Sequence, residues 1–198
     1  MTEKAVTPQP RRVYPPYEIK KWWEKLNPLD PANQKPGDRA ILARLRHCQT
    51  VIEAMSEPAF PELVQNCGVE HGCDLERVAL AMAVMSYVRS DIPGKKNARI
   101  IGPTEQSDGD DASSALCKPL RFRQLLGAST IDECYRVFRQ LVNLMGRTVN
   151  VDDLVKSLWN WPRFPGSEKA ADQIRVKWVY DYWSVGGGNK SDNNASQK

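Results

Sequence analysis

The sequence predicts an all-α fold, and three observations carry that expectation. Apolar residues recur with a 3.6-residue period in one segment after another, helix-start and helix-stop residues bracket those segments, and no run alternates with the period of two that marks a strand. The expected form is a compact helical bundle of about seven helices, as one bundle or two packed sub-bundles, with a long internal loop and flexible termini. A chain of 198 residues is long enough for one sizeable core or two small ones.

Residues 1–16, with "TPQPRR" and "YPP", read as a flexible arm because closely spaced prolines cannot propagate a helix. The helical region then runs from 17 to 183. Ile19, Trp22, Trp23 and Leu26 form one stripe at i, i+3, i+4 and i+7, and "NPLDPANQKPG" breaks the helix that carries them. "GDRAILARLRHCQTVIEAM" is expected as one helix with Ile41, Leu45, Cys48, Ile52 and Met55 on its apolar face. "PAFPELVQNCG" is a short helix ending at Gly68, and Asp74 opens a segment so apolar all round, "LERVALAMAVMSYVRS", that it belongs at the buried centre.

Residues 91–118 show no helical period and are expected as a long loop. Phe122, Leu125 and Leu126 then face the core from a short helix that Gly127 can end. Thr130 with Glu133 is a capping-box signature. The helix after it carries Ile131, Cys134, Tyr135, Phe138, Leu141, Val142 and Met145 on one face. Asn150 caps a further helix with Asp152 and Asp153 in its first turn, where carboxylates favour the helix dipole. A last helix, about 168–183, carries Ile174, Trp178 and Tyr182, and 184–198 reads as a disordered tail.

Composition narrows the function. The net charge is +4, with the basic excess in the carboxyl-terminal half and an acidic middle, which hints at one polyanion-facing side. Five cysteines, an odd number, do not suggest a disulfide framework and point to a reducing, cytoplasmic setting. No apolar run approaches the ~18 residues of a membrane span, and the start lacks a signal-peptide centre.

Cys67, His71 and Cys73, with His47 and Cys48 upstream, match no familiar zinc spacing. Asp108, Asp110 and Asp111 lie in a Ser/Gly-rich stretch that reads as a solvated acidic tip rather than a Mg²⁺ site. Two histidines, no GxSxG elbow and no phosphate-cradling loop leave little support for a triad or nucleotide enzyme. The expectation is a non-enzyme without cofactor or metal.

The arginines remain. In 118–183, eleven basic residues meet seven acidic ones. Arg121 and Arg123 sit in "RFRQLL", and Arg136 and Arg139 fall within about 60° of Asn143 on one helix flank. Upstream, Arg39 and Arg46 differ by only about 20° around their helix, on the side opposite the apolar stripe, and Arg44 flanks that stripe. Such residues suit a rail for phosphates or ordinary polar outer faces, and the pattern alone leaves both open.

The ordered set "WWEKL", "GDRAILARLR", "PAFPELV", "RFRQLL", "YRVFRQLVNLM", "VNVDDLVKSLWNW" and "RVKWVYDYW" resembles the CasB family. That family is the small subunit of the type I-E CRISPR Cascade surveillance complex. The resemblance covers about 17–183 and is strongest from 121 to 183. It implies a non-catalytic helical subunit, in two copies, that contacts other Cascade subunits, CRISPR RNA, and the target and non-target DNA strands. The family's basic positions fall at Arg39, Arg44, Arg121, Arg123, Arg136 and Arg139, with Arg175 and Lys177 matching less closely. Ala43 departs from the pattern, where another basic residue is expected, and so does "WPRFPGSE", which lengthens the link before the last helix. A helical scaffold or adaptor with no nucleic-acid role is the alternative.

Overall fold

The computed structural model describes residues 13–27, 37–104 and 114–184. Among them are ten α-helices and one two-stranded parallel ladder. The helices are α1 (Pro15–Leu26), α2 (Arg39–His47), α3 (Val51–Met55), α4 (Ala59–Cys67), α5 (Gly72–Met85), α6 (Asn97–Ile101), α7 (Pro119–Gly127), α8 (Ile131–Leu144), α9 (Val151–Asn160) and α10 (Glu168–Trp183); β1 is Ser90–Asp91 and β2 is Thr148–Val149. The all-α expectation holds, with three more helices than the count of about seven. Asp108, Asp110 and Asp111, the tail beyond 184, the arm before 13 and most of the first Pro-rich break lie outside the described residues.

The centre is α5, where every residue from Val78 to Met85 is fully buried. Small residues make this possible: Ala79, Ala81 and Ala83 alternate with Val78, Leu80, Met82, Val84 and Met85, so neighbouring helices approach on all sides. α1, α3, α4, α8 and α9 pack around it. Beside it lies an aromatic nucleus: the Phe138 ring meets Trp161 edge-on at 4.9 Å, and Trp161 meets Trp178 at 5.2 Å. Edge-to-face geometry at these distances places the positive edge of one ring on the negative face of the next.

Three boundaries differ from the sequence expectation. Pro15 and Pro16 belong to the first turn of α1, not to the arm, because the first turn has no partner for their missing N–H groups. The segment 37–55 is two helices. Asp38 caps the first through Ala40 and Ile41, and Thr50 caps the second through the Glu53 N–H. The break turns Ile52 out, so that it is exposed rather than in the apolar stripe.

The third correction is in 91–118, where α6 is helical and has Asn97, Ala98 and Ile101 buried. Polar anchoring, not amphipathic period, orders it. Asn97 Nδ2 donates to Asn150 O at 2.8 Å and Asn97 Oδ1 accepts from Asn150 N at 2.8 Å. Asp153, in the first turn of α9, accepts from Asn97 N and from Lys96 Nζ.

Candidate nucleic-acid interface

The capping box forms as the spacing predicts. Thr130 Oγ1 accepts from Glu133 N, and Glu133 Oε2 accepts from Thr130 N at 3.1 Å and Ser129 N at 3.0 Å. Those backbone donors, Ser129 first and then Thr130, pull the Glu133 carboxyl down to about 2. The cap fixes where α8 starts and so where its arginines point.

The exposed side of α8 faces α7 across an open groove of about 330 Å³ lined by Gln124, Gly127, Ala128, Glu133, Arg136, Val137 and Gln140. Gln124, Val137 and Gln140 also line a smaller cleft with Arg121. The two clefts adjoin through these shared residues, with Arg121 on α7 at the smaller and Arg136 on α8 at the larger. Both arginines are exposed, and Arg136 Nε is steadied by Asp132 O at 3.4 Å. Glu133 is the groove's carboxylate, and it is spent on the cap. Between Glu133 and Asp152 the sequence has no acidic residue, and α7 has none. Cationic groups beside neutral amides, with little acid, is a surface suited to phosphate oxygens.

Arg123 is exposed but lies about 200° around α7 from Arg121, outside the residues that line the groove. Arg139 leans the other way from Arg136. Its guanidinium lies 5.2 Å from the Tyr135 ring centroid. Burial lowers its pKa, but hydrogen bonds with Tyr87 and Tyr135 outweigh that, and the net shift is upward. Both hydroxyls donate elsewhere, Tyr87 to Arg46 O and Tyr135 to Cys48 O, so their oxygens accept from Arg139.

On α2 the expected pair separates. Arg39 is exposed at the first turn. Arg44 is ion-paired with Glu57 at 2.8 Å. Arg46 does not stand on an outer polar face: it is half-buried, with Nε donating to Ser86 O at 2.7 Å.

Arg175 is corrected outright. Only 8% exposed, it donates to the carbonyls of Leu126 (2.9 Å), Ala171 (2.8 Å) and Ala128 (2.6 Å) and lies over the Trp161 ring. It ties α10 to the link between α7 and α8 and offers nothing to a ligand. Burial, followed by the nearby Arg163 charge, lowers its pKa. Lys177 is exposed, on a different surface, near Asp181 together with Lys96 and Arg99.

Two arginines that the sequence did not single out, Arg89 and Arg147, lie within electrostatic reach of Arg46, and Arg89 N donates to Arg147 O at 2.8 Å. Helical periodicity does not find them: Arg89 lies past the end of α5, just before β1, and Arg147 in the turn after α8. The signal that existed was Gly146, a helix stop immediately before Arg147.

The cysteines make no site. Burial pushes the Cys67 and Cys134 thiols up to about 12. Among the described residues no three His, Cys, Asp or Glu side chains gather as metal ligands.

Comparison with known families shows that the family model of CRISPR-associated protein Cse2 matches residues 41–183. The chain belongs to the Cse2 family. The resemblance to CasB, the type I-E small subunit, is thereby borne out. Membership places it among the subunits of the Cascade complex of type I-E CRISPR defence, and the Cse2 family is a structural, non-catalytic one. No curated protein and no solved structure matched it. No helix among the described residues is long and apolar enough to cross a membrane.

Proposed function

We propose that this Cse2 chain holds nucleic-acid backbone along the α7–α8 groove, steadying the guide–target region and the displaced DNA strand within Cascade. The observation that carries this reading is that Arg121 and Arg136, from two helices, line adjoining clefts that share Gln124, Val137 and Gln140, so that the polar lining between them is mostly glutamine. In an RNA-guided complex base pairing reads sequence, so the protein needs backbone contacts alone. Arginine supplies them, being permanently charged and able to fork onto phosphate oxygens. Arg139, one turn after Arg136 on α8, extends the contact, Arg39 on α2 adds a separate one, and CRISPR RNA and the two DNA strands are the ligands.

Equilibrium binding to single-stranded DNA across a salt series tests this. Each phosphate contact contributes a log–log slope of about −0.7 on a single strand, so about three contacts predict a roughly twentyfold loss of affinity between 50 and 200 mM salt. Arg121→Ala with Arg136→Ala should reduce the slope by about 1.4. Melting should barely move, since exposed substitutions usually stay within about ±0.5 kcal/mol. A wild-type slope of zero sinks the reading.

A further inference from the structure

Just past α8, two consecutive residues are left-handed: Gly146 at φ 65° and Arg147 at φ 64°. Gly146 N donates to Asn143 O at 3.0 Å and Arg147 N to Val142 O at 2.8 Å, the reciprocal pair of a Schellman cap. Glycine enters this region freely, but arginine does so at a cost. Arg147 is the one non-glycine residue at positive φ among the described residues. Such outliers persist where the surroundings hold them, and they concentrate at functional positions.

The surroundings here are specific. Arg147 O accepts from Arg89 N at 2.8 Å and Ser90 N at 3.3 Å, which leads into the β1–β2 ladder. Arg147 Nε donates to Asn143 Oδ1 at 3.3 Å, so the guanidinium is held against the end of α8. Arg46 arrives from α2, pinned through Nε to Ser86 O, three residues before Arg89. Burial, and then the Arg147 and Arg89 charges, hold the Arg46 pKa below the usual arginine range. Among the described residues none of the three has a carboxylate partner. Tyr87 and Asn143 complete the surroundings, both neutral.

Three like charges from three separate elements, one on a strained backbone, repel one another when nothing lies between them. An anion relieves that. We propose that Arg46, Arg89 and Arg147 form a second anion site that takes one backbone phosphate of a nucleic-acid strand. Asn143, which holds Arg147, lies two turns beyond Arg136 on the same flank of α8, so a strand running along that flank from Arg136 meets Arg147 next. The proposal rests on the reading of this chain as a backbone-binding subunit. The ligand chemistry is a phosphate oxyanion, as a phosphodiester in a strand or as free phosphate, and the strand is the source assigned here.

The test uses the full-length protein and a labelled oligodeoxythymidylate over a salt series, with wild type, Arg89→Ala, Arg147→Gly, and Arg121→Ala with Arg136→Ala. Arg89→Ala and Arg147→Gly should each lower the slope by about 0.7. Arg147→Gly should melt at or above the wild-type temperature, because glycine releases the left-handed strain while the charge is lost. Unchanged slopes in both single variants, with a reduced slope in the groove variant, would overturn this site and leave the groove standing. A wild-type slope of zero removes both. Calorimetry with inorganic phosphate separates the sources: if these variants lose phosphate binding but keep the strand slope, the cluster is a free-phosphate site and the assignment fails.

Discussion

Arg175 donates to three backbone carbonyls beneath α10, whereas Arg136 projects from α8 into an open groove. The same side chain therefore has opposite consequences at the two positions. Arg175→Ala leaves the carbonyls of Leu126, Ala128 and Ala171 without their donor and removes the cation over Trp161. Charge-assisted hydrogen bonds are worth about 1.5–3 kcal/mol each and are not additive, so a loss of about 3 kcal/mol in unfolding free energy is expected by denaturant titration. Unchanged stability with weakened nucleic-acid binding would return Arg175 to the rail. The sequence period puts Ile174, Trp178 and Tyr182 on the buried face of the last helix, whereas Ala171, Arg175, Trp178 and Tyr182, at i, i+4, i+7 and i+11, are the residues buried, Arg175 among them. Arginine's usual exposure hid it, because periodicity places a residue on a face but says nothing of which carbonyls wait there. Arg44 was illegible for a similar reason, since its partner Glu57 comes from the turn after α3.

At the level of elements, caps were the most legible features and tertiary anchors the least. Thr130–Glu133 and Asn150 act locally, within four residues, so spacing alone revealed them. The α8 cap also predicts a pH dependence. Glu133 has a folded pKa of about 2, below the ordinary glutamate value near ~4.3. Folding therefore favours the carboxylate: its contribution is complete above ~4.3 and disappears as pH falls towards 2. Glu133→Gln should lower stability at neutral pH and flatten the pH dependence across that window, read by thermal melting. An identical acid slope in the variant would show that other carboxylates set it. α6 was missed because its order comes from Asn97 and Asp153, partners more than fifty residues apart in sequence. It is also held by close approach to α10. A Cβ on Gly102 would lie 2.1 Å from Tyr182 O, a backbone atom that cannot swing aside. Gly102→Ala should cost about 1–3 kcal/mol or more, seen as lower thermal stability and faster hydrogen exchange in α6. A neutral substitution there would mean that α6 and the end of α10 separate readily.

The whole molecule combines a fully buried centre in α5 with only a small excess of positive charge, and that balance bears on how it works. A net charge of +4 and a handful of exposed arginines cannot hold a strand alone at physiological salt, where non-specific binding is typically only about 10⁻⁴–10⁻⁶ M. Family membership offers a remedy, because a Cascade subunit is held in a complex with other subunits. Two copies on one scaffold would make the second contact intramolecular and raise overall affinity by roughly 10²–10⁴ without any new contact. The expected assembly is therefore a ribonucleoprotein with two copies placed end to end, so that the groove of one continues the basic surface of the other. Co-expression with the remaining Cascade subunits and a CRISPR RNA, affinity purification and native mass measurement should recover both copies and the guide. Removing Arg121 and Arg136 in that complex should loosen the held DNA without changing subunit stoichiometry if, as proposed, the groove faces nucleic acid rather than protein. Recovery of the chain as a lone monomer, beside an intact complex formed without it, would refute the two-copy arrangement. Loss of stoichiometry in the arginine variant would instead mark the α7–α8 groove as a subunit contact.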